Sequence, residues 1–221
     1  SSRARPGVAP ILSCFRVRRP YNRGFARPGP RMAINATIYK IELQISDMDR
    51  HYYATHALTL ARHPSETDER MMVRVLAFAL YADERLEFGK GLSVDDEPDL
   101  WRKERNGDIA QWIDLGHPDP ARIRKACGRA GQVIVINYGG RGADIWWDKS
   151  ASDLKRSRNL SVIDIAVGAV DALAALAERG LRLQCLIQDG HVQIISGDTV
   201  IGIDPHSRMS SENSGRWSNA G

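Results

Sequence analysis

PSETDERMMVRVLAFALYADE, residues 64–84, decides how the rest of the chain is arranged. Pro64 and Ser65 introduce a helix, with Ser65 as the N-cap and Asp68 three residues later as a capping-box variant. The helix is predicted to run to about Glu84. Val73, Leu76 and Leu80 form its cleanest apolar stripe, but Met71, Met72, Val75, Phe78 and Ala79 leave little of its circumference polar. A helix that is apolar on most sides belongs in the centre of a fold.

Strand patterns surround it. Before the helix, ATIYKIELQISD (36–47) has Ile38, Ile41, Leu43 and Ile45 in rough alternation, and YYATHALTLARH (52–63) reads as its partner. After the helix come short strands around 86–89, 100–103 and 109–115. DPARIRKACGRA (119–130) then reads as a second helix, with Asp119 as N-cap, Pro120 at the first helical position and Ile123, Ala126, Cys127 and Ala130 inward. QVIVINYG (132–139) is nearly continuously apolar, as an interior strand is. ADIWWD, NLSVIDIAV and a helix to about Arg179 follow, then the strands LRLQCLIQD, HVQIIS and TVIGID. Asp189–Gly190 marks a hairpin turn between the first two of these. This mixture predicts an α/β or α+β fold in which a central mixed sheet is flanked by helices.

The formal charge of +4 divides unevenly. Residues 1–31 hold eight arginines and no acid, which leaves 23 basic against 27 acidic residues in the remainder. The basicity therefore belongs to a leader, and the whole-chain charge is no argument for nucleic-acid binding. Met32 is the expected start of the domain, although an Arg-rich, acid-free leader also matches an organelle transit peptide. Residues 32–205 are expected to form one domain, with a basic leader at 1–31 and a flexible tail at 206–221. The longest apolar stretch, 163–177, is too short to cross a bilayer and carries Asp164 and Asp171. Three widely spaced cysteines without CxxC spacing imply reduced thiols and a cytoplasmic protein.

No phosphate-binding GxxxxGK[ST] loop or GxSxG elbow is present, and the six histidines form no zinc-like pair. The carboxylates carry more. Glu69 lies on the helix stripe with Val73, Leu76 and Leu80, and Glu66 lies on nearly the same side; either also suits the positive helix end. Asp114 shares a strand face with Ala110 and Trp112, where a carboxylate needs a partner, a metal or a proton. In VDDEPDLW (94–101), four of the five positions from Asp95 to Asp99 are acidic, which is also the composition of a solvated loop. Were these elements to converge, they would form an oxygen-rich site suited to Mg²⁺ or Mn²⁺.

TIYK, LTLARHPSETDERMMVRVLA, YADERLEF, DDEPDLW, WIDLG, RIRKAC and the IWW at Trp146–Trp147 closely resemble the bacterial YaeQ family over roughly residues 33–204. The resemblance implies a fold related to the PD-(D/E)XK nucleases. It also implies a helix acid at Glu66 or Glu69, a hairpin acid at Glu97 or Asp99, and Asp114 as the acid of the third motif. The lysine expected two residues after Asp114 is replaced by Gly116. Lys125 is the candidate substitute, although helical spacing puts it opposite the apolar stripe of its helix.

Two functions follow as expectations. One is a metal-binding nuclease-like domain that cleaves or holds nucleic-acid phosphodiesters, with Asp114 and Lys125 catalytic and Glu66, Glu69, Glu97, Asp99 and Asp114 around the ion. The other is a catalytically inactive nuclease-type scaffold that serves as a protein-interaction or regulatory module.

Overall fold

The computed structural model describes residues 36–90 and 96–211. The leader 1–31, Asp95 of the acidic turn, and the tail from 212 lie outside the described residues.

Helix α1 (Asp68–Tyr81) is central, as its composition demands: every residue from Met71 to Tyr81 is buried. It starts later than Ser65. Thr67 is the N-cap, in extended backbone, and its hydroxyl accepts the Arg70 N–H at 3.3 Å. Ser65 instead bonds its hydroxyl to the His63 ring at 2.6 Å. Two serine/threonine candidates two residues apart compete for one cap, and the loser turns to a local partner.

The strands divide between two mixed sheets, where one was expected. The first contains β1 (Thr37–Asp47), β2 (Tyr52–Arg62), β8 (Gly180–Gln188), β9 (His191–Ser196) and β10 (Thr199–Ile203), in the order β10-β9-β8-β1-β2. The second contains β3 (Leu86–Phe88), β4 (Leu100–Lys103), β5 (Ile109–Leu115), β6 (Ala130–Asn137), β7 (Leu160–Asp164) and β11 (His206–Met209), in the order β11-β7-β6-β5-β4-β3. The start of the expected tail is thus a strand, β11, paired antiparallel to β7.

One core joins the inner faces of both sheets through α1 and α4 (Val167–Ala174). A second core joins the other face of the second sheet to α2 (Pro120–Cys127) and α3 (Arg141–Leu154). The layers are therefore sheet, helices, sheet, helices. β6 lies between β5 and β7, parallel to both, which is why its run of 133–137 is buried without alternation. β1 alternates, but Ile38 faces out, 48% exposed, and Tyr39 takes the inward place. α2 is capped as its sequence predicts, the Asp119 carboxylate accepting the Ala121 N–H at 2.7 Å with Pro120 in the first turn. Asp189 and Gly190 both take positive φ, 51° and 77°, and form the tight turn between β8 and β9. No helix among the described residues is long and apolar enough to cross a membrane.

Candidate functional site

β4 and β5 pair antiparallel with Leu100 opposite Ile113, and the Asp99 N–H extends the ladder to the Ile113 carbonyl at 3.0 Å. Asp99 therefore enters β4 alongside Asp114 of β5. Both are buried, as is Glu66, which lies just before α1. The three carboxylates come from three separate segments of the chain, and an arginine meets each one.

Arg74, in the middle of α1, directs Nη1 at both oxygens of Glu66, each at 3.2 Å. Arg70, one turn earlier, gives Nη2 to Asp99 Oδ1 at 2.5 Å and Nη1 to the Leu115 carbonyl at 3.4 Å, with Nε 3.9 Å from Glu66. The second Asp99 oxygen accepts the Leu115 N–H at 2.9 Å. Arg122 of α2 grips Asp114 in a two-pronged pair, Nε to Oδ2 at 3.0 Å and Nη2 to Oδ1 at 2.9 Å, and Nη2 also reaches the Glu97 carbonyl at 2.7 Å. That last bond ties the acidic turn to α2 through its backbone.

Burial pushes the Asp99 carboxyl above its ordinary range; the Arg70 guanidinium and the Leu115 N–H oppose this, while the neighbouring Asp114 adds to it. For Arg70, burial alone would favour the neutral form, but Asp99, Tyr138 and Glu66 hold it above its ordinary value. Burial likewise raises the Tyr138 phenol, against the pull of Arg70. Tyr138, at the end of β6, thus closes the cluster beside Arg70 and Gly116. Gly116 has φ +78°, a left-handed conformation, and its nearest side-chain neighbours are Tyr138 and Arg70.

The other candidate residues stand apart from this cluster. Glu69 is half-buried in the first turn of α1, where the Thr67 hydroxyl holds its carboxyl below the ordinary value. The Glu97 side chain pairs with Lys90 at 2.9 Å, away from Asp114. Lys125 points to solvent and pairs with Asp96 at 2.5 Å. Glu66, Asp99 and Asp114 are therefore gathered, while Glu69, Glu97 and Lys125 are not. Arg70, Arg74, Arg122 and Tyr138 were not among the residues singled out by sequence. Glu66, Arg70 and Arg74 fall at four-residue intervals, a spacing that aligns them on one side of a helix. An arginine between Val73 and Val75 of a fully buried helix also announces a buried counter-charge.

A family model described as YaeQ protein matches residues 32–205. The chain belongs to the YaeQ family. Curated YaeQ relatives include one from Salmonella typhi, 48% identical over 161 residues, which cover 73% of this chain and 89% of the relative. Another, from Escherichia coli K12, is 47% identical over 159 residues, or 72% and 88%. Both are described as uncharacterized proteins. The crystal structure of YaeQ from Xanthomonas axonopodis pv. citri superposes with a TM-score of 0.77 at 56% identity, over 79% of this chain and 99% of that one. YaeQ from Pseudomonas syringae gives 0.77 at 32% identity, over 80% and 97%. The mixed α+β fold, with two sheets and four helices among the described residues, is thus that of YaeQ proteins.

Proposed function

We propose that this YaeQ-family chain is a binding or regulatory module whose acidic cluster is closed by arginines, and that it does not turn over phosphodiesters. A bound Mg²⁺ or Mn²⁺ needs carboxylate oxygens turned toward a common point and short of positive charge. Here Arg74 spans Glu66, Arg122 spans Asp114, and Arg70 with the Leu115 N–H holds Asp99. Three carboxylates face three guanidinium groups, so the charge a dication would neutralise is already neutralised. Among the described residues, no three acidic, histidine or cysteine side chains are grouped to hold a metal. Gly116 offers no ammonium group, and Lys125 is engaged with Asp96 at the surface. These residues do not fit a resident divalent ion.

The two-pronged Arg122–Asp114 pair carries this reading. The competing reading, a metal-dependent nuclease, draws support from the closeness of Asp99 and Asp114, but it sets a dication directly against the Arg122 guanidinium unless Arg122 leaves Asp114. Calorimetry with Mn²⁺ and incubation with Mg²⁺ or Mn²⁺ and mixed DNA and RNA separate the two. The closed-cluster reading expects no heat of binding and no cleavage. Stoichiometric Mn²⁺ binding together with cleavage that Asp114→Asn abolishes would overturn it.

A further inference from the structure

The four outer edges of the two sheets are unlike one another. β3 has three residues, β11 has four with a register shift against β7, and β10 has five with Gly202 inside it. β2 has eleven, and all eleven pair with β1 without a shift. Sheet edges are normally guarded by proline, lysine, a bulge or short length. YYATHALTLAR has none of these, nor any acid. Among the described residues, no strand pairs on its outer side.

The peptide groups that face outward can be identified. The Lys40 N–H bonds the Arg179 carbonyl at 2.8 Å and the Met48 N–H bonds the Ile187 carbonyl at 2.9 Å, so even-numbered residues of β1 address β8 and odd-numbered ones address β2. Through the register Ile41–Leu58 and Leu43–His56, even-numbered residues of β2 then address β1. Tyr53, Thr55, Ala57, Thr59 and Ala61 turn their N–H and C=O groups outward, and their side chains are the exposed ones, Tyr53 by 62%.

We propose that this edge pairs antiparallel with the same edge of a second copy of the chain, about a two-fold axis at Ala57. In that register Ala57 meets Ala57, Thr55 meets Thr59 and Tyr53 meets Ala61. The large residue faces the small one, threonine faces threonine, and no charge opposes a like charge. On the other face Tyr52 meets Arg62, and His56 meets Leu58. Each of the five outward residues exchanges both its backbone bonds, and two five-stranded sheets become one of ten. The occupant is a copy of the chain because this register satisfies itself: the five outward residues are uncharged, and the one cation of the strand, Arg62, is engaged with Asp68.

Eleven residues at about 3.4 Å span about 37 Å, and a strip about 10 Å thick gives a footprint of roughly 370 Å² per partner. That is under half of the roughly 800 Å² per partner of a standard interface. The dimer is therefore weak and dissociates on dilution. This inference does not rest on the arginine–carboxylate cluster.

Sedimentation of the full chain from about 1 μM to about 1 mM tests it. The apparent mass is expected to rise toward twofold across the range. Ala57→Lys sets two cations across the axis, and Ala57→Pro removes an outward N–H without touching the β1 ladder. Both are expected to stay monomeric with an unchanged circular dichroism spectrum. If Ala57→Pro fails to fold, Ala57→Lys and a cross-linking pair decide. Under mild oxidation A57C is expected to form an intermolecular disulfide at least tenfold faster than T55C, which faces Thr59. A wild-type chain that is monomeric throughout the range, or a dimer that Ala57→Lys leaves intact, overturns the proposal. Equal cross-linking of A57C and T55C overturns the register.

Discussion

Asp99 and Asp96 stand three residues apart in one acidic turn, yet Arg70 and the Leu115 N–H hold one inside the fold, while the other pairs with Lys125 in open solvent. The two pairs have similar distances and different physics. Asp99 has lost its water, so its carboxyl is pushed upward even with a guanidinium beside it. Asp96 keeps its water, and the Lys125 ammonium that bonds it holds its carboxyl below the ordinary value. The buried pair is held by α1, whose position the core fixes before any charge is counted. The surface pair is held by two long side chains that water and salt can separate. Distance alone therefore says little about what an ion pair does for this fold; the burial of its weaker-solvated partner says more.

The sharpest way to break this contrast is at Glu66 and Arg74, whose side chains are 3% and 4% exposed. Glu66→Gln leaves Arg74 buried without a counter-charge and is expected to lower unfolding stability by about 3–4 kcal/mol in urea titration. The double variant Glu66→Gln/Arg74→Met should recover at least half of that, because the cost lies in the abandoned charge. Asp114→Asn comes next. Arg122 is 29% exposed and partly solvated, so the expected loss is smaller, about 1–2 kcal/mol. A rise in thermal stability would instead mark Asp114 as a carboxylate crowded by its like neighbours and short of positive charge.

Smaller effects sharpen the comparison at the helix start. Thr67→Ala should cost about 1 kcal/mol as the lost N-cap, while Ser65→Ala should stay within about 0.5 kcal/mol. His56 gives a pH test away from the cluster. Burial against Phe78 holds its imidazole below the ordinary 6.5. The unfolded chain then takes up protons first as pH falls below 6.5, so this contribution to stability is full above that value and lost below it. His56→Gln should flatten the melting temperature between about pH 7 and pH 5 relative to wild type. Lys125→Ala, at the surface pair, should leave the melting midpoint unchanged.

Much of the architecture was legible because hydrophobic period and turn chemistry are local signals. The apolar circumference of 71–81 announced a central helix, the unbroken run of β6 announced an interior strand, and Asp119–Pro120 and Asp189–Gly190 announced a helix start and a hairpin. The division into two sheets was not legible, because paired residues of β1 and β8 lie 140 apart in sequence and nothing in either strand names the other. At the site, the acidic residues could be listed but not sorted. Glu66 and Glu69 both fit the helix face, and only the choice of Thr67 over Ser65 as cap puts Glu66 before the first turn and within reach of Arg74. The arginines escaped notice because long cations read as surface until the element that carries them is seen to be buried.

Gly116 stands where the sequence resemblance to nucleases leads one to expect a lysine, two residues after Asp114. An added Cβ there would find ordinary space, 3.7 Å from the Tyr138 ring, so a clash is not what keeps a lysine out. The obstacle is the backbone: at φ +78° any residue with a side chain starts about 1–2 kcal/mol uphill. An ammonium group at that position thus meets this penalty unless the peptide after Leu115 turns over as well. A substitution there would put its side chain on a backbone that resists it, so the peptide conformation, and not the space around it, limits what residue 116 can be.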